Sequence, residues 1–403
     1  MRLFLALFLI LVIVAGSIVA VFVFKEQKRT EQAYNDIELA TAFLQQGKVE
    51  EAVNTLSPIY EDYRRFKAMD QVIYLLATAY EQTGSEHAPL LWRQLSEGYP
   101  ESGHHDQALL AWAQSLTSSD PAQAKSLVEP LKRSADREIA AAALATQADS
   151  LLAEGDIDRA RALYTQVLEH FPNTHAEEEA FDKLSEINMK RLFAGGLDEF
   201  TTLYEVQRGD SVHKIAIDNH TTKEMVMRLN GIATALRPGQ RIKVPNKGFK
   251  IVIDKSRLKL FLLTEDGHFV KWYTVAIGEE DYKTPVGVYY VDLKQIDPTW
   301  YKPGGGVIPP GDPENALGPR WISIGQHLGI HGNNDRDSVG KRASAGCIRM
   351  YNEDVLELYD IVTIGNEVSI VDEFHTATAG EPAGEDISNA TEQADEPEQE
   401  SQP

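Results

Sequence analysis

The hydrophobic pattern changes twice along the chain, and each change predicts a different kind of structure. Residues 3–24 form an uninterrupted apolar run of 22 residues without a charge. From 30 to about 195, apolar and small residues recur at helical spacing with few β-branched runs. Beyond Phe249 the pattern becomes strand-like, and it predicts strands at 250–254, 258–262, 271–277 and 286–293, the first two as a hairpin. The chain is therefore predicted to be multidomain, with separate α and β parts.

The apolar run predicts an N-terminal transmembrane helix within residues 1–29. As a helix it would extend about 33 Å, against about 30 Å for the hydrocarbon core of a bilayer. A cleaved signal peptide is the alternative, but its apolar region is usually about 7–15 residues and ends at small residues. This run ends with the bulky residues 21–24. Three basic residues follow the run and one precedes it, which favours an inside C-terminus.

A repeat of the size of a helix pair divides residues 30–195. Glycines at 47, 84 and 155 follow similar alanine-rich segments, and Ser118–Pro121 stands where a further turn is expected. A period near about 34 residues with small residues at helix contacts resembles a tetratricopeptide array of about four units. An irregular helical bundle is the alternative. Because stacked pairs form a groove suited to peptides or helices, we expect envelope protein partners here, with a rigid spacer as the other interpretation.

Residues 201–246 predict a small βααβ module, with Asp210 placed to cap its first helix. The segment resembles the LysM family, which binds polymers containing N-acetylglucosamine, such as peptidoglycan glycan chains. The resemblance implies a shallow groove between the loop after the first strand and the loop after the second helix. The candidate glycan-binding residues are Gly209, Asp210, Ser211, Leu229, Asn230 and Gly231. Each also has a structural interpretation, because a strand-to-helix turn needs Gly209 and Asp210 and because Leu229 suits a core.

The net charge of −22 argues against nucleic acid as a partner, since nucleic-acid binding needs basic patches. Part of this charge lies in residues 372–403, where nine acidic residues and no Lys or Arg follow Asp372. Such a segment buries too little apolar surface to offset its ordering entropy. It is predicted to be a disordered acidic tail that promotes solubility.

The only cysteine of the chain is Cys347, sixteen residues after His331. A thiol flanked by glycine and arginine, with a histidine upstream, is a candidate nucleophile, whereas a free cysteine elsewhere is usually a small buried hydrophobe. The surrounding pattern favours the nucleophile. It consists of VAIG (275–278), KTPVGVY (283–289), NALGPRW (315–321), HG (331–332) and SAGCIRM (344–350). This order and spacing resembles the L,D-transpeptidase (YkuD) catalytic domain over residues 249–371.

The resemblance implies a mostly-β catalytic domain in which Cys347 attacks a peptidoglycan stem peptide and His331 is its base. The residue types suggest that a carbonyl next to Gly332 orients the imidazole, and that the N–H groups of Gly346 and Cys347 stabilise the oxyanion. Candidate substrate-binding residues are Arg349, Ser344, Trp321 and Tyr301. For Arg349 a structural ion pair is the alternative, and for the aromatic residues it is packing beneath an irregular loop at 302–319.

Two positions depart from the family pattern. Ala345 stands where the family often has histidine or a charged residue, and Asn333 stands where it often has threonine. Neither departure removes the nucleophile or the base, so the chemistry is expected to be kept. Ala345 does remove a polar group that could touch the substrate.

The resemblance predicts cell-wall crosslinking by acyl transfer from a stem tetrapeptide to an amine. No nucleotide, zinc or haem motif is present in the sequence, so we expect no metal and no cofactor. A peptidoglycan enzyme must face the wall, which places the catalytic domain outside a bacterial inner membrane despite the flanking charges. Two alternatives remain open: a hydrolase or protein-attaching ligase of the same fold, and a non-enzymatic wall-binding scaffold.

Overall fold

The computed structural model describes residues 2–63, 65–232, 235–302 and 304–374, without the side chains of residues 2–12, 14 and 15. The predicted acidic tail lies outside the described residues from position 375 onward. The chain divides into two compact units, one holding residues up to 167 with 173–178, the other holding 168–172 and the residues from 179 onward.

Helices fill the chain before the first strand, as predicted. Within the described residues they are α1 (Arg2–Gln45), α2 (Val49–Asp62), α3 (Met69–Gln82), α4 (His87–Gly98), α5 (His105–Leu116), α6 (Pro121–Val128), α7 (Arg137–Ala153), α8 (Ile157–His170) and α9 (His175–Phe193).

The predicted turns between paired helices are confirmed. Gly47, Gly84 and Gly155 adopt φ values of 71°, 65° and 83°, a left-handed conformation that glycine adopts without the strain of a Cβ. They separate α1 from α2, α3 from α4, and α7 from α8. Between α5 and α6, the Asp120 carboxylate accepts a hydrogen bond from Gln123 N–H at 3.0 Å and caps α6.

The predicted transmembrane helix gains no support from the structure. Among the residues whose side chains are described, no helix is both long and apolar enough to cross a bilayer. The apolar run lies at the start of α1, and the side chains of residues 3–12, 14 and 15 within it are outside the described ones.

The predicted βααβ module is confirmed. It consists of β1 (Thr201–Glu205), α10 (Val212–Asp218), α11 (Lys223–Asn230) and β2 (Arg241–Pro245), with the two strands antiparallel. The prediction that Asp210 caps α10 is wrong. Ser211 is the last residue with an extended backbone, so its hydroxyl reaches the helix and accepts a hydrogen bond from Lys214 N–H at 3.1 Å. Asp210 instead accepts hydrogen bonds from Gln207 N–H and the Tyr204 hydroxyl, at 2.7 and 2.8 Å.

The catalytic segment predicted at residues 249–371 is mostly β, as expected. Its elements are β3 (Phe249–Asp254), β4 (Lys259–Thr264), β5 (Phe269–Gly278), β6 (Gly287–Tyr290), β7 (Leu293–Ile296), β8 (Trp300–Tyr301), β9 (Val307–Ile308), β10 (Arg320–Ser323), β11 (Gly329–His331), β12 (Arg342–Ser344), β13 (Ile348–Met350), α12 (Asn352–Ile361) and β14 (Glu367–Val371). The main sheet has the order β6-β14-β3-β4-β5-β13-β11-β10-β7, with β12 beside β5.

Two details differ from the predicted strands and loop. The strand predicted at 286–293 is two strands, because Val291 N–H donates to Asn366 O while Asp292 N–H donates to Ser323 O. The chain thereby changes its partner from β14 to β10. The loop predicted at 302–319 contains the short strand β9, which pairs with β8.

One hydrophobic core joins the catalytic segment to the βααβ module. Met225 and Leu229 of α11 belong to the same buried cluster as Tyr359 of α12. The part of α9 from residue 179 onward also packs on this sheet, where the Phe181 ring stacks on Trp272 at 4.8 Å between centroids. The helical region was predicted to end at 195. The part of its last helix from residue 179 onward therefore belongs to the unit that holds the catalytic segment.

Candidate active site

Four side chains of the candidate site lie in one row across four neighbouring strands. Gln295 of β7 pairs with Trp321 of β10, Trp321 pairs with His331 of β11, and His331 pairs with Arg349 of β13. Residues in one row of a sheet face the same side, and neighbouring strands are about 4.8 Å apart. The row therefore places His331 between an indole and a guanidinium.

All four side chains line one cleft of about 1000 Å³, and the nucleophile candidate Cys347 lines it as well. Cys347 immediately precedes β13, and Arg349 of β13 lines the same cleft. The complete lining is Gln295, Ile296, Asp297, Pro298, Thr299, Trp300, Tyr301, Ala316, Leu317, Trp321, His327, His331, Ser344, Ala345, Cys347 and Arg349. The structure thus brings together Cys347, His331 and the four predicted substrate-binding residues.

The imidazole of His331 is buried, neutral and held in one tautomer. Its Nδ1 lies 2.7 Å from the carbonyl oxygen of Gly332, the contact expected from the sequence. A carbonyl only accepts, so Nδ1 carries the proton and Nε2 is free to act as a base. Burial lowers the pKa of His331 to about 4; the Gly332 hydrogen bond opposes this shift, and the positive charge of Arg349 adds to it.

Two asparagines fix the backbone at His331. Asn352, the first residue of α12, accepts a hydrogen bond from Asn333 N–H at 2.9 Å and donates one to Asn333 O at 3.0 Å. The Asn333 side chain donates to Met350 O on β13. At Gly332, a Cβ would lie 2.3 Å from Asn352 Oδ1, so only glycine fits there. Asn333, a departure from the family pattern, therefore has a structural role.

The loop that carries Cys347 is held by two hydroxyl groups. Ser344 Oγ donates to Cys347 O at 2.5 Å and accepts from Gly346 N–H at 3.2 Å. Thr284 Oγ1 accepts from Gly278 N–H and donates to Gly346 O, both at 2.8 Å. The expectation that Gly346 N–H stabilises the oxyanion is not met here, because Ser344 already accepts its hydrogen bond. Cys347 N–H has no hydrogen-bond partner among the described residues and remains the candidate donor.

The thiol of Cys347 and the imidazole of His331 are both uncharged in the resting site. Burial raises the pKa of the Cys347 thiol, while a hydrogen bond with the Gly329 backbone and the charge of Arg349 act in the opposite direction. Burial also lowers the pKa of His331. Because burial disfavours the charged form of both groups, thiol and imidazole are both neutral near pH 7. The thiol is directed toward His327 O, at 3.8 Å.

The aromatic residues have different positions in the cleft. The Trp321 ring stacks on the His331 ring, with centroids 5.3 Å apart, and covers Gly329, where a Cβ would meet the indole at 2.5 Å. Tyr301 lies at the rim, 73% exposed. The loop between them is tied down by the buried Asn315 side chain, which donates to Pro298 O and Pro309 O at 2.9 and 3.1 Å.

Arg349 has no ion pair within the part of the chain that the structure describes, so the structural ion pair considered as its alternative is not seen. Its guanidinium is partly buried at the cleft wall beside His331. An unpaired cation in this position can bind a carboxylate of a ligand. In the described residues, no group of three or more His, Cys, Asp or Glu side chains could hold a metal ion.

The candidate glycan-binding residues all serve the fold of the βααβ module. Leu229 is 5% exposed in the shared core. The Asn230 side chain donates to Val226 O and Lys243 O and accepts from Lys243 N–H. Gly231 ends α11 in a left-handed conformation with φ of 60°, and Gly209 turns before α10 with φ of 93°. Leu229 and Asn230 thus have structural roles. Glycan contact by Gly209, Asp210, Ser211 and Gly231 stays a prediction.

The sequence pattern did not identify three residues that shape the site. Thr284 lies in the KTPVGVY motif, but nothing in the motif indicates its contact with Gly346. Asn352 and His327 lie outside every motif. Asn352 is a polar residue two positions after the SAGCIRM motif, and neither it nor His327 carries a signal beyond its residue type.

Three domain profiles match the chain in order. The profile of the L,D-transpeptidase catalytic domain (YkuD) matches residues 248–370, that of the LysM domain matches 204–245, and that of the tetratricopeptide repeat matches 142–174. The first two spans coincide closely with the β-rich segment and with the βααβ module.

Named relatives cover the same part of the chain. The "Putative L,D-transpeptidase YkuD" of Bacillus subtilis (strain 168) is 33% identical over 174 residues, which are 41% of this chain and 97% of that relative. The "Putative L,D-transpeptidase YqjB" of the same strain is 37% identical over 135 residues, 32% of this chain and 75% of that relative. The solved structure of an L,D-transpeptidase from Mycobacterium smegmatis is 16% identical and covers 33% of this chain and 63% of that chain, with a TM-score of 0.27.

Proposed function

The chain belongs to the L,D-transpeptidase family, and we propose that it crosslinks peptidoglycan stem peptides through an acyl-enzyme on Cys347. The observation that carries the proposal is the cleft lined by Cys347, at the end of its loop, and by His331 and Arg349, which pair across adjacent strands. A nucleophile, a base with one free nitrogen and an unpaired cation are the groups that acyl transfer from a carboxylate-bearing peptide requires.

The first half of the reaction forms a thioester. Nε2 of neutral His331 takes the thiol proton of Cys347 as Sγ attacks the carbonyl carbon of the donor peptide. Cys347 N–H donates a hydrogen bond to the oxyanion that develops. The C–N bond then breaks, and the imidazolium of His331 gives its proton to the departing amine. Because burial disfavours the imidazolium, His331 passes the proton on readily and returns to the neutral form.

The second half transfers the acyl group to an amine. The free amine attacks the thioester carbon, the C–S bond breaks, and one N–H proton passes through His331 to Cys347 Sγ. This sequence is the reverse of the first half with a different amine, so the same residues serve both directions. Water is the competing acceptor.

Arg349 is the residue that we assign to a carboxylate of the donor peptide. It lies one strand from His331 and two residues from Cys347, on the side where the acyl group is held. A planar guanidinium binds a carboxylate through two parallel hydrogen bonds, which fixes the orientation of the peptide as well as its affinity. Tyr301 and Trp300 at the rim would cover the peptide from the other side.

The full chain tests this proposal. Incubation with a disaccharide-tetrapeptide and an amine should give the crosslinked product by mass spectrometry, and a carbapenem should add once to the protein. Both signals should vanish in Cys347→Ala. His331→Gln should lower the acylation rate by about 10²- to 10⁴-fold. His268→Gln, an exposed histidine of the same domain outside the cleft, is the matched control and should react normally. An adduct that persists in Cys347→Ala would refute the assignment.

For the other parts of the chain we propose a supporting role. The LysM domain is assigned to the glycan strand, and the helix pairs are assigned to envelope protein partners. The apolar run at the N-terminus is assigned to the inner membrane, with the catalytic domain on the side of the wall. Sedimentation of the full chain with purified peptidoglycan, in the Cys347→Ala form, separates wall binding from covalent capture. A chain that stays in the supernatant would contradict the LysM assignment.

A further inference from the structure

His327 is a second imidazole in the catalytic cleft, at a position that the transfer reaction described above leaves without a role. The residue lines the cleft and is exposed, and its carbonyl oxygen lies 3.8 Å from Cys347 Sγ. His327 therefore lies beside the sulfur that carries the acyl group. Ala345, two residues before the cysteine, also lines the cleft and has a small side chain.

The turn that presents His327 is fixed in an unusual conformation. Gln326 and His327 have φ values of 52° and 63°, in the left-handed region that residues other than glycine seldom occupy. Hydrogen bonds from Leu328 N–H to Gly325 O, at 2.8 Å, and from Ile324 N–H to Leu328 O, at 3.1 Å, close the turn. Left-handed residues at both central positions are typical of tight turns between antiparallel strands, so the hairpin of β10 and β11 fixes the backbone of His327.

The second half of the reaction needs a base that His331 does not supply. Alkyl amines are ammonium ions at neutral pH, whereas only the free amine attacks a thioester. The acceptor must lose one proton before attack and a second one during it. His331 handles the second proton, but its pKa of about 4 makes it a weak acceptor toward an ammonium ion. Its burial also keeps it from exchanging protons with solvent.

Other groups of the cleft lining are less suited to this task. Arg349 is a cation and repels an ammonium ion. Asp297 lies beyond the end of β7, three strand spacings or about 14 Å across the sheet from β13, the strand that follows Cys347. His327 is exposed in the same cleft, its carbonyl oxygen lies 3.8 Å from the sulfur, and an imidazole can accept a proton and release it to solvent.

Given the acyl-enzyme chemistry proposed above, we propose that the His327 imidazole removes a proton from the ammonium group of the acceptor before this amine attacks the thioester. The proton moves from the ammonium nitrogen to the imidazole and from there to solvent. The free amine then forms the C–N bond, its second proton passes through His331 to Cys347 Sγ, and the C–S bond breaks. His327 thereby directs the acyl-enzyme toward amines, because hydrolysis by water needs no such deprotonation.

The test compares His327→Asn with Gln326→Asn in the full chain. Both positions are left-handed, a conformation that asparagine tolerates, so the turn is kept in both variants. The donor is a disaccharide-tetrapeptide. The acceptors are D-methionine, which is an ammonium ion at pH 7, and hydroxylamine, which is largely unprotonated at that pH. The ratio of transfer to hydrolysis is read by mass spectrometry, and carbapenem acylation reports the first half alone.

His327→Asn should lower the transfer-to-hydrolysis ratio for D-methionine by about tenfold, keep the ratio for hydroxylamine, and leave the carbapenem rate within about twofold. The defect should fade as the pH rises and D-methionine becomes a free amine. Gln326→Asn should match the unsubstituted chain. An unchanged ratio for D-methionine, or an equal loss with both acceptors, would overturn the role of His327. Failure of the unsubstituted chain to form an acyl-enzyme would instead overturn the proposed function.

Discussion

Thr284→Val removes one hydroxyl that satisfies two buried backbone groups at the cysteine loop. Thr284 is 1% exposed, and its Oγ1 bonds Gly278 N–H and Gly346 O, both at 2.8 Å. Valine has nearly the same shape, so the substitution leaves no cavity. Each buried group that loses its partner costs about 1–3 kcal/mol, which gives about 2–6 kcal/mol for the pair.

This free-energy cost should either lower the stability of the fold or move the loop that carries Cys347. If the loop keeps its shape, thermal unfolding of the full chain should begin at a lower temperature. If the loop rearranges to satisfy the two groups, stability is kept and the rate of carbapenem acylation should fall by tenfold or more, since about 1.4 kcal/mol already corresponds to a factor of ten. Gly346 provides both the loop's left-handed corner, with φ of 104°, and the carbonyl that Thr284 binds.

Thr363→Val is the matched control. Thr363 is partly exposed in the same domain, and its hydroxyl has no hydrogen bond among the described residues. Both variants are followed by differential scanning fluorimetry and by intact-protein mass spectrometry after mixing with the carbapenem. If Thr284→Val matched the control in unfolding temperature and in acylation rate, the claim that Thr284 supports the cysteine loop would be refuted.

Three further predictions follow from the geometry. The pKa of His331 is about 4 in the folded protein and about 6.5 in an unfolded chain. The free energy of unfolding should therefore be constant above pH 6.5 and fall by about 3 kcal/mol as the pH drops to 4. Denaturant unfolding should show that this pH dependence is lost in His331→Gln and kept in His268→Gln. Gly332→Ala should cut carbapenem acylation by at least about tenfold, because its Cβ would lie 2.3 Å from Asn352 Oδ1, whereas Gly196→Ala meets open space and should react normally. Arg349→Gln should raise the KM for the tetrapeptide by about tenfold with a smaller change in kcat, and an unchanged KM would contradict its contact with a carboxylate.

The sequence predicted which residues belong to this site better than it predicted the contacts between them. Five motifs in order indicated the catalytic segment, and the identities of Cys347 and His331 followed from chemistry that few other residue types perform. The expected contact between His331 and the Gly332 carbonyl is present, because it joins neighbouring residues and depends on local backbone geometry. Turn glycines such as Gly47 were predictable for the same reason.

What the sequence did not predict depends on partners that are distant in the chain. Thr284 and Gly346 are 62 positions apart, and no local pattern indicates that they bond. The Ser344 hydroxyl occupies Gly346 N–H, so the donor assigned from the motif is not free. The resting protonation states of Cys347 and His331 also depend on the surrounding fold. A Cys/His pair predicts an ion pair only if solvent or neighbouring charges stabilise it, and here burial opposes both charges.

The helix α12 shows why motif boundaries and structural units differ in this chain. Its first residue, Asn352, holds the backbone beside His331. Further along, Glu357 pairs with Arg228 of the LysM domain at 3.5 Å, and the Asp360 carbonyl accepts a hydrogen bond from the Thr222 hydroxyl. One helix therefore contacts both the backbone beside His331 and the LysM domain.

The LysM domain and the catalytic segment share one hydrophobic core. Removing the LysM domain would take Met225 and Leu229 out of the buried cluster and expose the apolar surface of the catalytic segment that they cover. The LysM domain is thus a structural part of the enzyme as well as its proposed anchor on glycan. A glycan strand bound there would lie at a fixed position relative to the cleft, because the intervening contacts are packed side chains and not a flexible linker. In such an arrangement, wall binding selects which stem peptides reach Cys347 in addition to raising their local concentration.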